Sequence, residues 1–367
     1  MTEPSEYELI AWREIQHFKG QPLSRTMQTI GDKVAQGLDN TSAYLESRPK
    51  TQAAFSKGRE IAAKTGQAVR HGAKKSFNTI PDGVVDWSGQ AFDSARSSVG
   101  KISRVALSPA RIVKVHQKRG HPVKELHDIR NLDLKQVDRV RGRGASWYYP
   151  AAAALSGAGT GVLITGGELT VAVSAGVAAA PSGAVVAGAM VGDTAVILGL
   201  ASRCVGQVAL SYGYDPEEPA EKLFVMSVVN SGTALSATAK TTAMADVSRL
   251  TQQLVRGKVW RVLDKSIVTQ VSKQFARSFG VRFTKQSLGR VVPVAGIALG
   301  ATFNWATLEA IVDAANISYR RRFLLDKYPS LHDEEVSIST TAEDADTADE
   351  TISIIKAVKE AGGPNLD

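Results

Sequence analysis

The sequence predicts a mainly α protein, a multi-helix bundle whose core helices are rich in glycine and alanine and pack closely. Three observations carry this reading. Aromatic residues are only 6% of the 367 and prolines number 13, too few for a strand-rich or proline-rich architecture, while apolar and charged fractions of 43% and 22% are those of a folded chain. Apolar residues recur at three- and four-residue spacing in successive segments. Between Arg143 and Asp193 the single charge is Glu168, and the residues around it are mainly Ala, Gly, Ser and Thr.

The first helix is read from Tyr7, Ile10, Ala11, Ile15 and Phe18, which fall on one stripe. Gly20, Pro22, Pro49, Pro81 and Gly83 then divide the first hundred residues into short amphipathic helices. Residues 1–75 are taken as a polar amphipathic N-terminal region. From 76 to 143 the pattern is again helical, broken at Pro109 and at Gly120 and Pro122, and Asp133 is placed to cap a helix that starts at Leu134.

Residues 144–212 are the expected glycine- and alanine-rich core. The uncharged stretches on either side of Glu168 are long enough to span a bilayer. Small residues contribute little to insertion, however, and Gly166, Gly167, Pro181 and Gly183 interrupt the runs. Buried bundle helices are the reading adopted, with membrane embedding as the open alternative. Gly157 and Gly161, Gly188 and Gly192, and Gly296 and Gly300 each stand four residues apart. An interior glycine costs a helix about 1 kcal/mol relative to alanine, so these pairs are expected to recover it where backbones approach closely.

Asp193 is positioned as the cap of a helix ending before Gly213, and Asp215, Pro216, Glu217 and Glu218 as the cap and first turn of the next. Further on, Val259, Leu263, Ile267, Val271, Phe275 and Phe279 repeat every four residues, with Lys258, Arg261, Lys265, Lys273 and Arg277 elsewhere. Such a basic amphipathic helix lays its stripe either on a core or on a membrane surface. A last uncharged stretch leads through Glu309 and Asp313 to Arg320, Arg321 and Arg322. Beyond 329 the chain holds acids and no base until Lys356, so residues 330–367 read as an acidic, largely disordered tail, with a short helix near 351–361 before Gly362 and Gly363.

Two blocks within this pattern resemble a known family. GDTAVILGLASRCVGQVALSYGYDPEEPAEKLF and KQSLGRVVPVAGIALGATFNWATLEAIVDAANISYRRRFL are similar to the two signature blocks of EcsC-like proteins. IPDGVVDWSGQAF and LDLKQVDRV resemble the helices that precede them. The resemblance covers residues 80–328 and frames a helical domain at 76–329, with the glycine-rich core at 144–212 and the second block at 285–328. Pro150 and an alanine series stand where many relatives carry an acid, so no role of that acid transfers. The family takes its name from a protein encoded beside an ABC transporter; the resemblance implies a helical fold near membrane processes and implies no reaction.

Catalytic patterns are missing. No histidine lies between His127 and His332, Cys204 is the single cysteine, and there is neither HExxH nor a cysteine pair, so no metal or cofactor is expected. Gly66–Ser76 lacks the spacing of a phosphate loop. What remains is a polar set in apolar surroundings, Asp193, Arg203, Gln207, Asp215, Lys285 and Asn304, read as buried pairs or as a ligand pocket.

Charge is the other functional signal. Residues 101–143 contain twelve basic residues and four acids, an excess equal to the whole chain's formal +8. Such a segment attracts phosphate head groups or nucleic acid; Lys114, Lys118, Arg119, Arg139, Arg141 and Arg143 are its candidate contacts. The start MTEPSEYELIAW has acids where a secretory signal has bases, which predicts a cytoplasmic protein. The expected function is non-enzymatic action at or beside the inner membrane surface, with an anionic surface or a membrane protein assembly as partner and a transporter as one such assembly. A hydrolase or other enzyme using Asp193, Arg203 and Asn304 is the first alternative. Nucleic-acid binding is the second, weakened by the lack of aromatic residues among the bases.

Overall fold

A computed structural model describes residues 3–18, 108–142, 183–234, 236–257, 265–288, 296–332, 352–364 and 366. The α-helices among them are α1 (Glu6–His17), α2 (Pro109–Lys118), α3 (Leu134–Arg141), α4 (Gly183–Ser211), α5 (Pro219–Gly232), α6 (Ala237–Arg256), α7 (Lys265–Leu288), α8 (Gly296–Lys327) and α9 (Ile354–Glu360). Two 3-10 turns, Leu126–Asn131 and Pro329–His332, complete the list. No strand occurs among the described residues, and the helices pack on one another, so the α class and bundle architecture hold.

Local sequence starts and stops these helices as expected in several places. Ser5 and Glu8 form a capping box on α1: the Ser5 N–H donates to Glu8 Oε2 at 2.9 Å and the Glu8 N–H to Ser5 Oγ at 3.3 Å. Asp133 caps α3 through the Lys135 N–H at 2.8 Å, and Gln136 returns a bond from the Asp133 N–H at 3.2 Å. Pro109 opens α2 rather than merely breaking a helix. α4 ends where Gly213 adopts φ +85°; the Tyr214 N–H reaches back to Ala209 O at 3.0 Å and closes a Schellman turn.

α5 and α8 form the centre. Every residue from Leu223 to Gly232 on α5 is buried. The 32-residue α8 spans about 48 Å at 1.5 Å per residue, long enough to meet α1, α4, α5 and α6 along its length. Close backbone approach occurs where α5 meets α8. A Cβ built on Gly232 would stand 2.6 Å from Ile311 Cα, a distance no side chain tolerates.

Several expectations are corrected. Asp193 does not cap a helix; α4 runs unbroken from Gly183, because Gly188 and Gly192 do not interrupt it and the chain reaches Asp193 already helical. Asp215 does not start α5 either. Its carboxylate accepts the Glu217 N–H at 3.0 Å in a turn, and the helix begins four residues later at Pro219, the second proline of the run. For the basic amphipathic helix the core reading holds over α7, with Val271, Phe275 and Phe279 buried and Lys265, Lys273 and Arg277 exposed, while Lys258, Val259, Arg261 and Leu263 lie outside the described residues. α1 is packed against α3 and α8. The C-terminal stretch contains α9, whose Ile354, Ile355 and Val358 are buried; residues 333–351, also read as tail, lie outside the described residues. So do 19–107 and the core stretch 143–182, with Gly157, Gly161 and Arg143. Among the described residues, no helix is long and apolar enough to cross a membrane.

Candidate functional site

The last turns of α8 read Tyr319, Arg320, Arg321, Arg322, and successive residues on a helix point about 100° apart. The three arginines therefore reach three different elements. Arg320 Nη2 donates to Asp138 of α3 at 2.6 Å, Arg321 Nη2 to Ser248 Oγ of α6 at 2.8 Å, and Arg322 Nη1 to Glu221 of α5 at 2.6 Å. One turn later Lys327 donates to Glu8 of α1 at 2.8 Å and to the Leu132 carbonyl at 2.9 Å.

Each carboxylate receives more than its ion-pair partner. Asp138 also accepts the Tyr7 hydroxyl at 2.9 Å and the Tyr212 hydroxyl at 2.8 Å. Glu8 accepts the Leu134 N–H at 3.1 Å and the Tyr328 hydroxyl at 2.7 Å. Glu221 accepts the Tyr319 hydroxyl at 2.6 Å, while Arg322 lies 3.9 Å over the Tyr214 ring, whose hydroxyl donates to Asp326 at 2.5 Å. Buried charge is tolerated when it is paired and hydrogen-bonded; each of these three carboxylates faces a cation and a tyrosine hydroxyl, while the buried Nε of Arg322 has no hydrogen-bond partner among the described residues.

Its electrostatics are those of a clamp. Burial disfavours the charge on Arg320 and on Arg322, but Asp138 and Glu221 respectively outweigh it, and both pKa values rise. Burial would also raise the Glu8 pKa; bonds from Lys327, the Ser5 N–H and Tyr328 outweigh it and bring the value down. Burial, reinforced by the neighbouring carboxylates, pushes the Tyr212, Tyr214 and Tyr319 phenols far above their ordinary value. Burial pushes the Cys204 thiol up to about 12. These groups keep their protons, and none is an activated nucleophile. Lys240 differs: burial brings it down to about 8 against the pull of Asp313, and its Nζ donates to the Ser231 carbonyl at 2.8 Å.

The six polar candidates are distributed otherwise. Arg203 and Gln207 stand one turn apart, half-buried on α4, and Asn304 is buried on α8, which packs against α4. Asp215 stays in its turn outside that contact. The side chains of Asp193 and Lys285 lie outside the described residues, as do the surroundings of Gly188, Gly192, Gly296 and Gly300. Glu8, Asp138 and Glu221 were not among the candidates, although a signal existed for each. Glu8 shares the helical stripe of Ala11, Trp12 and Ile15; Asp138 follows Leu134 by one turn; Glu221 sits one turn before Phe224 and Val225 at the head of a helix that is uncharged after Lys222.

A second feature lies outside the clamp, on α2, α3 and the turn between them. Lys114, Lys118, Arg119, Lys124, Lys135 and Arg139 are exposed. Three of the segment's four acids are turned to other uses. Asp128 accepts the Lys124 and Glu125 N–H groups, each at 2.8 Å, Asp133 caps α3, and Asp138 faces Arg320. Arg119 Nη1 donates to the Arg139 carbonyl at 2.7 Å, which links the end of α2 to α3. Arg141 is a correction: it turns inward to Asn316 and lies 3.9 Å from Asp138, with its side chain 16% exposed, because that carboxylate lies one turn back on its own helix.

Comparison with known proteins follows the same outline. Residues 165–324 match the EcsC protein family. The resemblance read from the two sequence blocks is thereby borne out. The EcsC match takes in Glu221 and the arginines of α8 and stops before Asp326 and Lys327; Glu8, Asp138 and the basic face lie outside it. The uncharacterized protein YdbA of Bacillus subtilis strain 168 is 25% identical over 243 residues, 65% of this chain and 78% of that one. No solved structure gives a significant match.

Proposed function

We propose that this protein is a non-enzymatic helical scaffold that attaches peripherally to an anionic membrane surface, or to an assembly at such a surface, through the face built by Lys114, Lys118, Arg119 and Arg139. One observation supports the reading: three of this segment's four acids cap helices or face the interior, the fourth, Glu125, lies beside His127, and among the described residues Lys114, Lys118, Arg119 and Arg139 are exposed without a carboxylate partner. The ion-pair clamp supplies the rigidity. It ties α1, α3, α5 and α6 to α8 and so holds α3, which carries Arg139 and accepts a bond from Arg119. A basic residue near an anionic leaflet contributes about 1 kcal/mol, so four together amount to about 4 kcal/mol, on the order of a thousandfold in partitioning.

The test is a combined reversal of Lys114, Lys118, Arg119 and Arg139 to Glu, positions that are exposed and outside the clamp. Flotation with phosphatidylserine vesicles is expected to disappear while the melting temperature stays within a few degrees of wild type. Undiminished flotation of a folded variant would overturn the proposal. Retention on nucleic acid with no vesicle binding would transfer the same face to the nucleic-acid reading.

A further inference from the structure

α9 lies across α5, α6 and α7. Ile354, Ile355 and Val358 of this helix are buried, and so is Leu366 beyond it. Side chains of the bundle contact the main chain of this segment directly. Asp246 on α6 accepts the Ile354 N–H at 3.0 Å, and Asn230 on α5 donates Nδ2 to the Ile352 carbonyl at 2.6 Å. Asn230 is itself oriented by Arg282 of α7, whose Nη1 donates to Asn230 Oδ1 at 3.0 Å and whose Nη2 donates to Thr233 Oγ1 at 2.6 Å. Asn230, Asp246 and Arg282 are only 1%, 3% and 5% exposed.

A donor for one carbonyl, an acceptor for the following free amide and apolar pockets beside them are the parts of a peptide-recognition groove. The segment also has the properties of a ligand. A seven-residue helix is too short to persist alone in water, so it depends on its seat. Residues 333–351 separate it from the turn after α8, a length that reaches about 60 Å when extended, enough for it to leave and return with α8 undisturbed. The groove in turn depends on the segment: burial raises the Asp246 pKa, and the bonds that oppose this come from Ser353 and the Ile354 and Ile355 amides, with Arg249 adding to them.

We propose that the groove between α5, α6 and α7 is a peptide-binding site, occupied in cis by residues 352–366 and open in trans to a short peptide of the same chemistry. That chemistry is an extended residue offering its carbonyl to Asn230, a serine cap, and aliphatic residues at the first, second and fifth positions of a short helix. The proposal is independent of the membrane reading, since the basic face lies on other helices.

The experiment keeps the whole chain. A specific protease recognition sequence is placed within 333–351 and cut, and a fluorescein-labelled synthetic peptide of residues 350–367 is titrated against cut and uncut protein by anisotropy. Tethering sets an effective concentration on the order of millimolar, so the peptide is expected to bind the cut protein at least tenfold more tightly than the uncut. The same peptide carrying Ile355→Asp is expected not to bind. An uncut protein with Ile355→Asp in its own segment is expected to keep its helical circular dichroism and to bind the wild-type peptide as the cut protein does. Equal binding to cut and uncut wild type, equal binding of the two peptides, or no binding to the cut protein would each overturn the proposal.

Discussion

Arg322 of α8 donates to Glu221 of α5 at 2.6 Å, and the two side chains are 8% and 2% exposed. Neither can return to water while the helices stay packed. Removing one partner of such a pair leaves an uncompensated buried charge and costs about 3–5 kcal/mol. Glu221→Ala is therefore expected to lower stability by that amount in urea unfolding. Replacing the whole buried group, Glu221→Leu with Arg322→Met and Tyr319→Phe, whose hydroxyl would otherwise lose its acceptor, is expected to recover most of the loss, since well-packed apolar side chains avoid the desolvation cost. A single variant as stable as wild type would show that the pair does not clamp α5 to α8.

Among the described glycines, Gly232 stands closest to the backbone of another helix. A Cβ there meets Ile311 Cα at 2.6 Å and Ile311 N at 3.1 Å, backbone atoms that move only if α5 and α8 separate. Gly232→Ala is expected to destabilise by about 1–3 kcal/mol although alanine is the better helix former. A rise in melting temperature would mean that the two helices part without cost.

His116 is fully buried, and its Nδ1 lies 3.0 Å from His121 Nδ1, a geometry that accommodates one proton between the rings. Burial, then His121 and Arg119, hold the His116 pKa down to about 4 from 6.5. A base with a depressed folded pKa is neutral in the native state. Its contribution is whole above pH 6.5 and is lost as pH falls towards 4, by up to about 3 kcal/mol. Unfolding midpoints are expected to drop between pH 6.5 and 5, before most carboxylates titrate, and to drop less in His116→Gln. Identical pH profiles for the two proteins would contradict this assignment.

Much of the fold is legible because its signals are local. The Asp133 cap, the Gly213 stop and the stripe of Val271, Phe275 and Phe279 each depend on neighbours a few residues away, and each is found in the structure. The failures are also informative. Asp193 and Asp215 have the right chemistry for capping, but a cap is decided by whether the preceding backbone is already helical, which a residue type does not report. Glu8, Asp138 and Glu221 are not legible in the sequence because their partners lie on α8, with Asp138 and Arg320 182 positions apart. A close backbone approach occurs at Gly232, a lone glycine at the end of α5, because its contact is set by where α8 crosses; the surroundings of the GxxxG pairs lie outside the described residues. The partners of Arg320, Arg321 and Arg322 followed only once the neighbouring helices were placed.

The most direct measurement for the central claim is flotation of the wild-type protein with vesicles of defined charge. An anchor made of exposed lysines and arginines senses the surface potential, and its attraction shortens with the Debye length, from about 10 Å at 0.1 M salt to about 3 Å at 1 M. The account predicts recovery with phosphatidylserine vesicles at 0.1 M salt, little with neutral phosphatidylcholine, and release at 1 M. Equal recovery with neutral and anionic vesicles, or binding that survives 1 M salt and alkaline carbonate, would contradict it and point to apolar insertion instead.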